Sequence, residues 1–114
     1  MSFLNKQDVI LPYGVTANPI VASGGYAQVS ITSATTFALT VPQGAVSCSI
    51  VYEDSAATSG VVARYCFSDI PTATFGNPMT HLIYFELYGL EAMNTIVFRA
   101  FTALTGTVNV QFYR

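Results

Sequence analysis

Charge is what this sequence has least of. Asp, Glu, Lys and Arg make up 9% of its 114 residues, against roughly 25% in an ordinary soluble domain, and none of them occurs between Asp8 and Glu53. A compact chain of 12.2 kDa exposes about 6,000 Å², so each charge serves about 600 Å² of surface. Soluble monomers rarely have so sparse a surface, and burial of part of it by other protein is the expectation. A membrane is not the alternative. Ser, Thr, Asn, Gln, Gly and Pro interrupt every apolar stretch, well short of the ~20 apolar residues that cross a bilayer.

Other shortages exclude chemistry. There is no Trp and one His, His81, so a nucleophile assisted by imidazole has a single candidate base. No G-x-S-x-G elbow accompanies it. Cys48, Cys66 and His81 lack the close paired spacings of a zinc site. Gly24 and Gly25 are not followed by Lys with Ser or Thr at the phosphate-loop spacing. Glu53 with Asp54, and Glu86 with Glu91, read as turn and rim charges rather than as a glycosidase pair. The expectation is no enzyme, no cofactor and no metal. The two cysteines lie in strand-like runs and read as buried free thiols. The opening "MSFLNKQDVILPYG" has only Val9, Ile10 and Leu11 as an apolar run before Pro12, too short for the core of a signal peptide, which points to synthesis and assembly in a reducing cytoplasm. Four basic residues against six acidic ones give a net charge of −2, the wrong sign and too scattered for nucleic acid.

What is present is β-sequence. "AQVSITS", "TFALTV", "SCSIVYE", "VVARYCFS", "HLIYFELY", "TIVFRAFTA" and "TVNVQFYR" are rich in Val, Ile, Thr, Phe and Tyr and are punctuated by Gly, Pro, Ser and Asn. Seven such strands predict an all-β antiparallel sandwich of jelly-roll type. The last two, joined through Leu104, Thr105 and Gly106, read as a hairpin with Gly106 supplying positive φ. "GLEAMN" has room for one helical turn. Residues 1–25, with two prolines and weak alternation, read as an extended N-terminal arm, and 26–114 as the single domain.

Alternation also sorts the strand faces. In "TVNVQFYR", Val108, Val110 and Phe112 form an apolar row, and Asn109, Gln111 and Tyr113 form an uncharged polar row on the other side. Arg64 shares a face with Val62 and Cys66, and Arg99 with Val97 and Phe101. The simplest reading lays each arginine stem along a sheet face with its head in water. The sharper one pairs the heads with Glu86 or with a neighbouring chain. Seven tyrosines offer sugar-stacking platforms as an alternative role, a carbohydrate-binding or receptor-binding β-sandwich module.

The order "FALTVPQGA", "VVARYCF", "PTATFGNPM", "FELYGLEAM", "IVFRAF", "VNVQFYR" resembles a class of small β-rich virion proteins of tailed bacteriophages, over Phe37 to Arg114. The class places Pro42, Gly44, Arg64, Pro71, Thr72, Thr74, Gly76, Pro78 and Arg99 at recurrent positions. It carries Asp-Gly-Thr before the Pro-Thr motif, where this chain has Ser68, Asp69 and Ile70. The resemblance implies a capsid decoration or cement protein localised to the virion, bound to the major capsid protein or another shell protein and to copies of itself, with a trimer favoured by analogy. Arg64, Arg99, Pro71, Thr72, Thr74, Asn109, Gln111 and Tyr113 are the expected interface residues.

Overall fold

The computed structural model describes residues 9–10, 16–32, 35–54, 63–101 and 106–114. Among them are strands β1 (Val9–Ile10), β2 (Thr16–Ala17), β3 (Tyr26–Ile31), β4 (Phe37–Ala38), β5 (Ser47–Glu53), β6 (Ala63–Phe67), β7 (Asn77–Met79), β8 (Tyr84–Tyr88), β9 (Ile96–Ala100) and β10 (Gly106–Tyr113), with one short helix, α1 (Leu90–Thr95), before β9. β1 pairs only with β2. The other eight form two antiparallel four-stranded sheets. Sheet I has the order β3-β10-β5-β8, and sheet II the order β4-β9-β6-β7.

The alternation read from the sequence decides what lies between them. Val108, Val110 and Phe112 of β10 are fully buried, as are Ile50 and Tyr52 of β5 and Ile31 of β3. From sheet II come Ile96, Phe98 and Ala100 of β9, Ala63 of β6 and Met79 of β7. All belong to one apolar cluster, so the sheets share a core in a sandwich-like, all-β arrangement. Tyr65 of β6 and Phe85 of β8 stack across it with ring centroids 4.6 Å apart.

The hairpin expected of the last two strands does not form. β9 pairs with β4 and β6 in sheet II, whereas β10 pairs with β3 and β5 in sheet I. Crossing between sheets places each strand inside its sheet, with partners on both edges, where a terminal hairpin would leave an edge open. Gly106 is not among the positive-φ glycines. Its need is space: a Cβ there would stand 2.1 Å from the Tyr52 hydroxyl.

Three strands escaped the sequence reading. β7 lies inside "PTATFGNPM", where prolines argued for loop. β1 and β2 lie inside the segment read as an arm. Of that segment, residues 1–8 and 11–15 lie outside the described residues, and residues 18–25 run along the end of β10. The Ile20 N–H donates to the Phe112 carbonyl (2.9 Å), and the Phe112 N–H donates to the Gly25 carbonyl (2.7 Å). Ile20 itself is buried.

The connections gather at two ends. At one, here called the rim, lie residues 18–25, the 39–46 connection, the 68–76 loop and α1. The Val46 N–H donates to the Tyr113 carbonyl, the Gly89 N–H to the Val46 carbonyl and the Ser68 N–H to the Thr95 carbonyl, each at 2.8 Å. The rim is thereby laced together by backbone bonds. The 80–83 turn lies at the opposite end.

Candidate interaction surfaces

The outer face of sheet I is polar and almost uncharged. Register sets it out in rows: Gln28, Asn109, Val51 and Tyr84 in one, and Tyr26, Gln111, Ser49 and Glu86 in the next. Asn109 stands at the centre with all four of its hydrogen-bonding capacities used. Its Oδ1 accepts from the Tyr26 hydroxyl (3.1 Å) and from Gln28 Nε2 (2.8 Å). Its Nδ2 donates to the Val51 carbonyl (3.2 Å) and to Glu53 Oε1 (2.7 Å). Gln111 Nε2 lies within hydrogen-bonding distance of the carbonyls of Ile20 (3.3 Å), Gly25 (3.1 Å) and Phe112 (3.0 Å), tying the 18–25 segment to the sheet. Tyr113 and Ser49 share a longer contact of 3.4 Å.

Among the described residues, Glu53 and Glu86 are the charged side chains on this face. Glu86 Oε1 accepts from the Tyr88 hydroxyl at 2.8 Å. Tyr84 ionises later than an ordinary tyrosine. Partial burial, then the Glu86 charge, then the hydrogen bond to Glu86 push it up to about 12.

The outer face of sheet II is covered in part by the chain itself, around Arg64 and Cys66. Arg64 and Arg99 stand directly opposite each other on β6 and β9, an arrangement that costs energy when both heads are left bare. The Arg64 head turns to the 68–76 loop, where Nη1 donates to the Gly76 carbonyl (2.7 Å) and Nε to the Ala73 carbonyl (3.3 Å). Its hydrogen-bond partners are thus carbonyls of its own chain, while Glu86, the partner considered from the sequence, lies on the outer face of the other sheet. Arg99 lies over the Phe101 ring, its guanidinium carbon 5.5 Å from the centroid. Cys66 lies under the loop, close to Gly76, where a Cβ would come within 3.0 Å of its sulfur.

The expected interface residues therefore occupy three places. Asn109, Gln111 and Tyr113 lie on sheet I, Arg64 and Arg99 on sheet II, and Pro71, Thr72 and Thr74 in the rim loop. Pro71 is buried and anchors that loop, whereas Thr72 and Thr74 are exposed. The loop closes on itself through the Thr72 N–H to the Phe75 carbonyl (2.9 Å) and the Phe75 N–H to the Thr72 carbonyl (3.3 Å). What the sequence reading missed is that this loop presents Ile70 (61% exposed) and Phe75 (53%) to solvent. The signal was there: two large apolar residues among Pro, Thr, Ser and Gly, where turn chemistry needs neither.

The remaining candidates for chemistry stand apart. Cys48 is in the core, and burial pushes its thiol up to about 12, partly offset by a backbone hydrogen bond from Leu87. Cys66 is raised by burial first and by Asp69 second, with Arg64 opposing. Both thiols are protonated and free, which makes them poor nucleophiles. His81 sits in the 80–83 turn, its Nδ1 accepting from the Asp54 N–H at 3.0 Å. Asp54 is buried, with Oδ2 accepting from the Tyr52 hydroxyl at 3.2 Å. Among the described residues no three His, Cys, Asp or Glu side chains gather closely enough to hold a metal ion, and no helix is long and apolar enough to cross a membrane. Searches of family models, curated proteins and solved structures found no match to this chain.

Proposed function

We propose that this chain is a structural protein of a bacteriophage particle, a capsid decoration or cement protein that stabilises the head shell through protein contacts and self-associates, in the virion. The observation that carries the reading is the outer face of sheet I. Asn109, Gln28, Gln111, Tyr26 and Tyr88 hydrogen-bond to partners within the chain, so covering the face with another protein strands few polar groups, and among the described residues two carboxylates, Glu53 and Glu86, need desolvation. A surface built this way suits permanent burial against a shell. The resemblance over Phe37 to Arg114 supports the same reading. So does the strand order: β3-β10-β5-β8 opposite β4-β9-β6-β7 is the order produced when two Greek keys wrap into a jelly roll, an architecture frequent in capsid proteins. A trimer suits threefold positions of a shell.

The test is cosedimentation of the purified chain with head shells of its own virus. Saturable binding at a fixed ratio to the shell protein is expected, and Ser49→Arg, which sets a long cation in the middle of the face, should abolish it. Absence of binding to shells, together with specific retention on a glycan panel, would replace this reading with the sugar-binding one.

A further inference from the structure

The largest exposed apolar side chains are not spread evenly. Val21, Val46, Ile70, Phe75 and Leu90 belong to the rim and Phe67 ends β6 beside it, each between 42% and 78% exposed. They arise from four separate stretches of chain that backbone hydrogen bonds fasten side by side. Spread over that end, they present on the order of 600 Å² of apolar surface. Part of this surface is also held in place. Arg64 grips the 68–76 loop from beneath through two carbonyls, and Pro71 plugs it into the fold, so Ile70 and Phe75 are displayed with little ordering left to be done on contact.

We propose that the rim is where copies of this chain meet, their apolar ends gathered about a common symmetry axis. Two arguments favour a second copy as the occupant. About 600 Å² from each of two rims makes about 1,200 Å², the lower bound for a specific interface, before any polar margin is added. The margin also carries both signs of charge, with Asp69 and Glu91 exposed beside the apolar residues and Arg114 exposed at the end of β10, so a rim can answer its own charges across a symmetric contact. The proposal rests on the preceding reading only in taking self-association as part of the function. It differs in giving the contact between copies to the rim and leaving the face of sheet I to the shell.

The experiment is the solution mass of the chain by light scattering behind a sizing column, across a concentration series, for the native chain and for Ile70→Ser, Phe75→Ser and Leu82→Ser. Leu82 is an exposed apolar residue (59%) at the opposite end and serves as the control. A closed oligomer is expected whose association weakens about tenfold or more on either rim substitution, with Leu82→Ser unchanged and all variants showing the native circular dichroism spectrum. A native chain that stays monomeric at its highest soluble concentration overturns the proposal. So does an oligomer that ignores both rim substitutions and dissociates on Leu82→Ser. Shell cosedimentation separates this inference from the function it builds on. A monomer that still binds shells refutes the rim contact alone, and an oligomer broken by Phe75→Ser that ignores shells upholds the rim contact while removing the virion role.

Discussion

The two outer faces of the sandwich solve the same problem in opposite ways. Each sheet turns its apolar row inward and must do something with the other row. Sheet I fills it with Asn, Gln, Ser and Tyr that bond to one another around Asn109. Sheet II places two arginines opposite each other and folds the 68–76 loop down onto one of them. One face is finished without cover, and the other in part by the chain's own cover. The lesson is that half-buried polar residues on a sheet do not by themselves mark a binding face. Where their hydrogen bonds go is what distinguishes a surface ready for a partner from one already occupied.

The comparison can be broken most severely at Arg64. Arg64→Leu leaves the Ala73 and Gly76 carbonyls without their donor, and a charged donor is worth about 1.5–3 kcal/mol per bond. We expect a loss of about 3 kcal/mol in denaturant unfolding and faster proteolysis within residues 68–76. Asn109→Ala should cost less, about 1–2 kcal/mol, because Tyr26, Gln28 and Glu53 are exposed and water can replace the amide. An Asn109→Ala loss exceeding that of Arg64→Leu would invert the distinction between the faces.

Alkaline titration sharpens the contrast further. Tyr84 is raised from 10.0 to about 12 in the folded chain, so the unfolded chain gives up this proton first. The associated stability is complete below pH 10 and is lost as pH rises from 10 towards 12. Glu86→Gln removes the charge and weakens the acceptor. It should move the tyrosinate absorbance of Tyr84 back towards the ordinary range and narrow the window of alkaline loss. The smallest effect is expected at Ser68, which takes a left-handed backbone conformation (φ 67°). Ser68→Gly relieves that strain at the cost of chain entropy and should raise stability by about 0.5 kcal/mol.

Much of this was legible in the sequence. The inward row of β10, Val108, Val110 and Phe112, followed from alternation, and "SCSIVYE" coincides with β5. The one-turn helix at "GLEAMN" became α1. Pairing was not legible, because alternation says which side chains face inward and nothing about which strand lies alongside. The proximity of "TIVFRAF" and "TVNVQFYR" along the chain therefore suggested a hairpin that the sheets do not contain. Gly106 misled for a related reason, since a glycine needed for positive φ and one needed for room read alike until Tyr52 is seen beside it. At Arg64 the strand face was legible, but its grip on Ala73 and Gly76 depends on how the loop returns through β7, which the prolines hid. The left-handed residue at the start of that loop is Ser68, a place where composition offers no glycine to mark it.

The position of β10 has a consequence for how the protein comes into being. It lies between β3 and β5, yet it is the last strand of the sandwich to leave the ribosome. Its register joins Gln111 to Tyr26 and Thr107 to Ser30, residues separated by nearly the whole domain. Translation at about 5–20 residues per second makes β3 wait several seconds for the strand that completes it, with its own apolar row and that of β5 lacking their central neighbour. The nascent chain thus passes through synthesis with sheet I open along its middle. Completion of sheet I therefore waits for β10, and it requires closing one long loop rather than growing the sheet strand by strand.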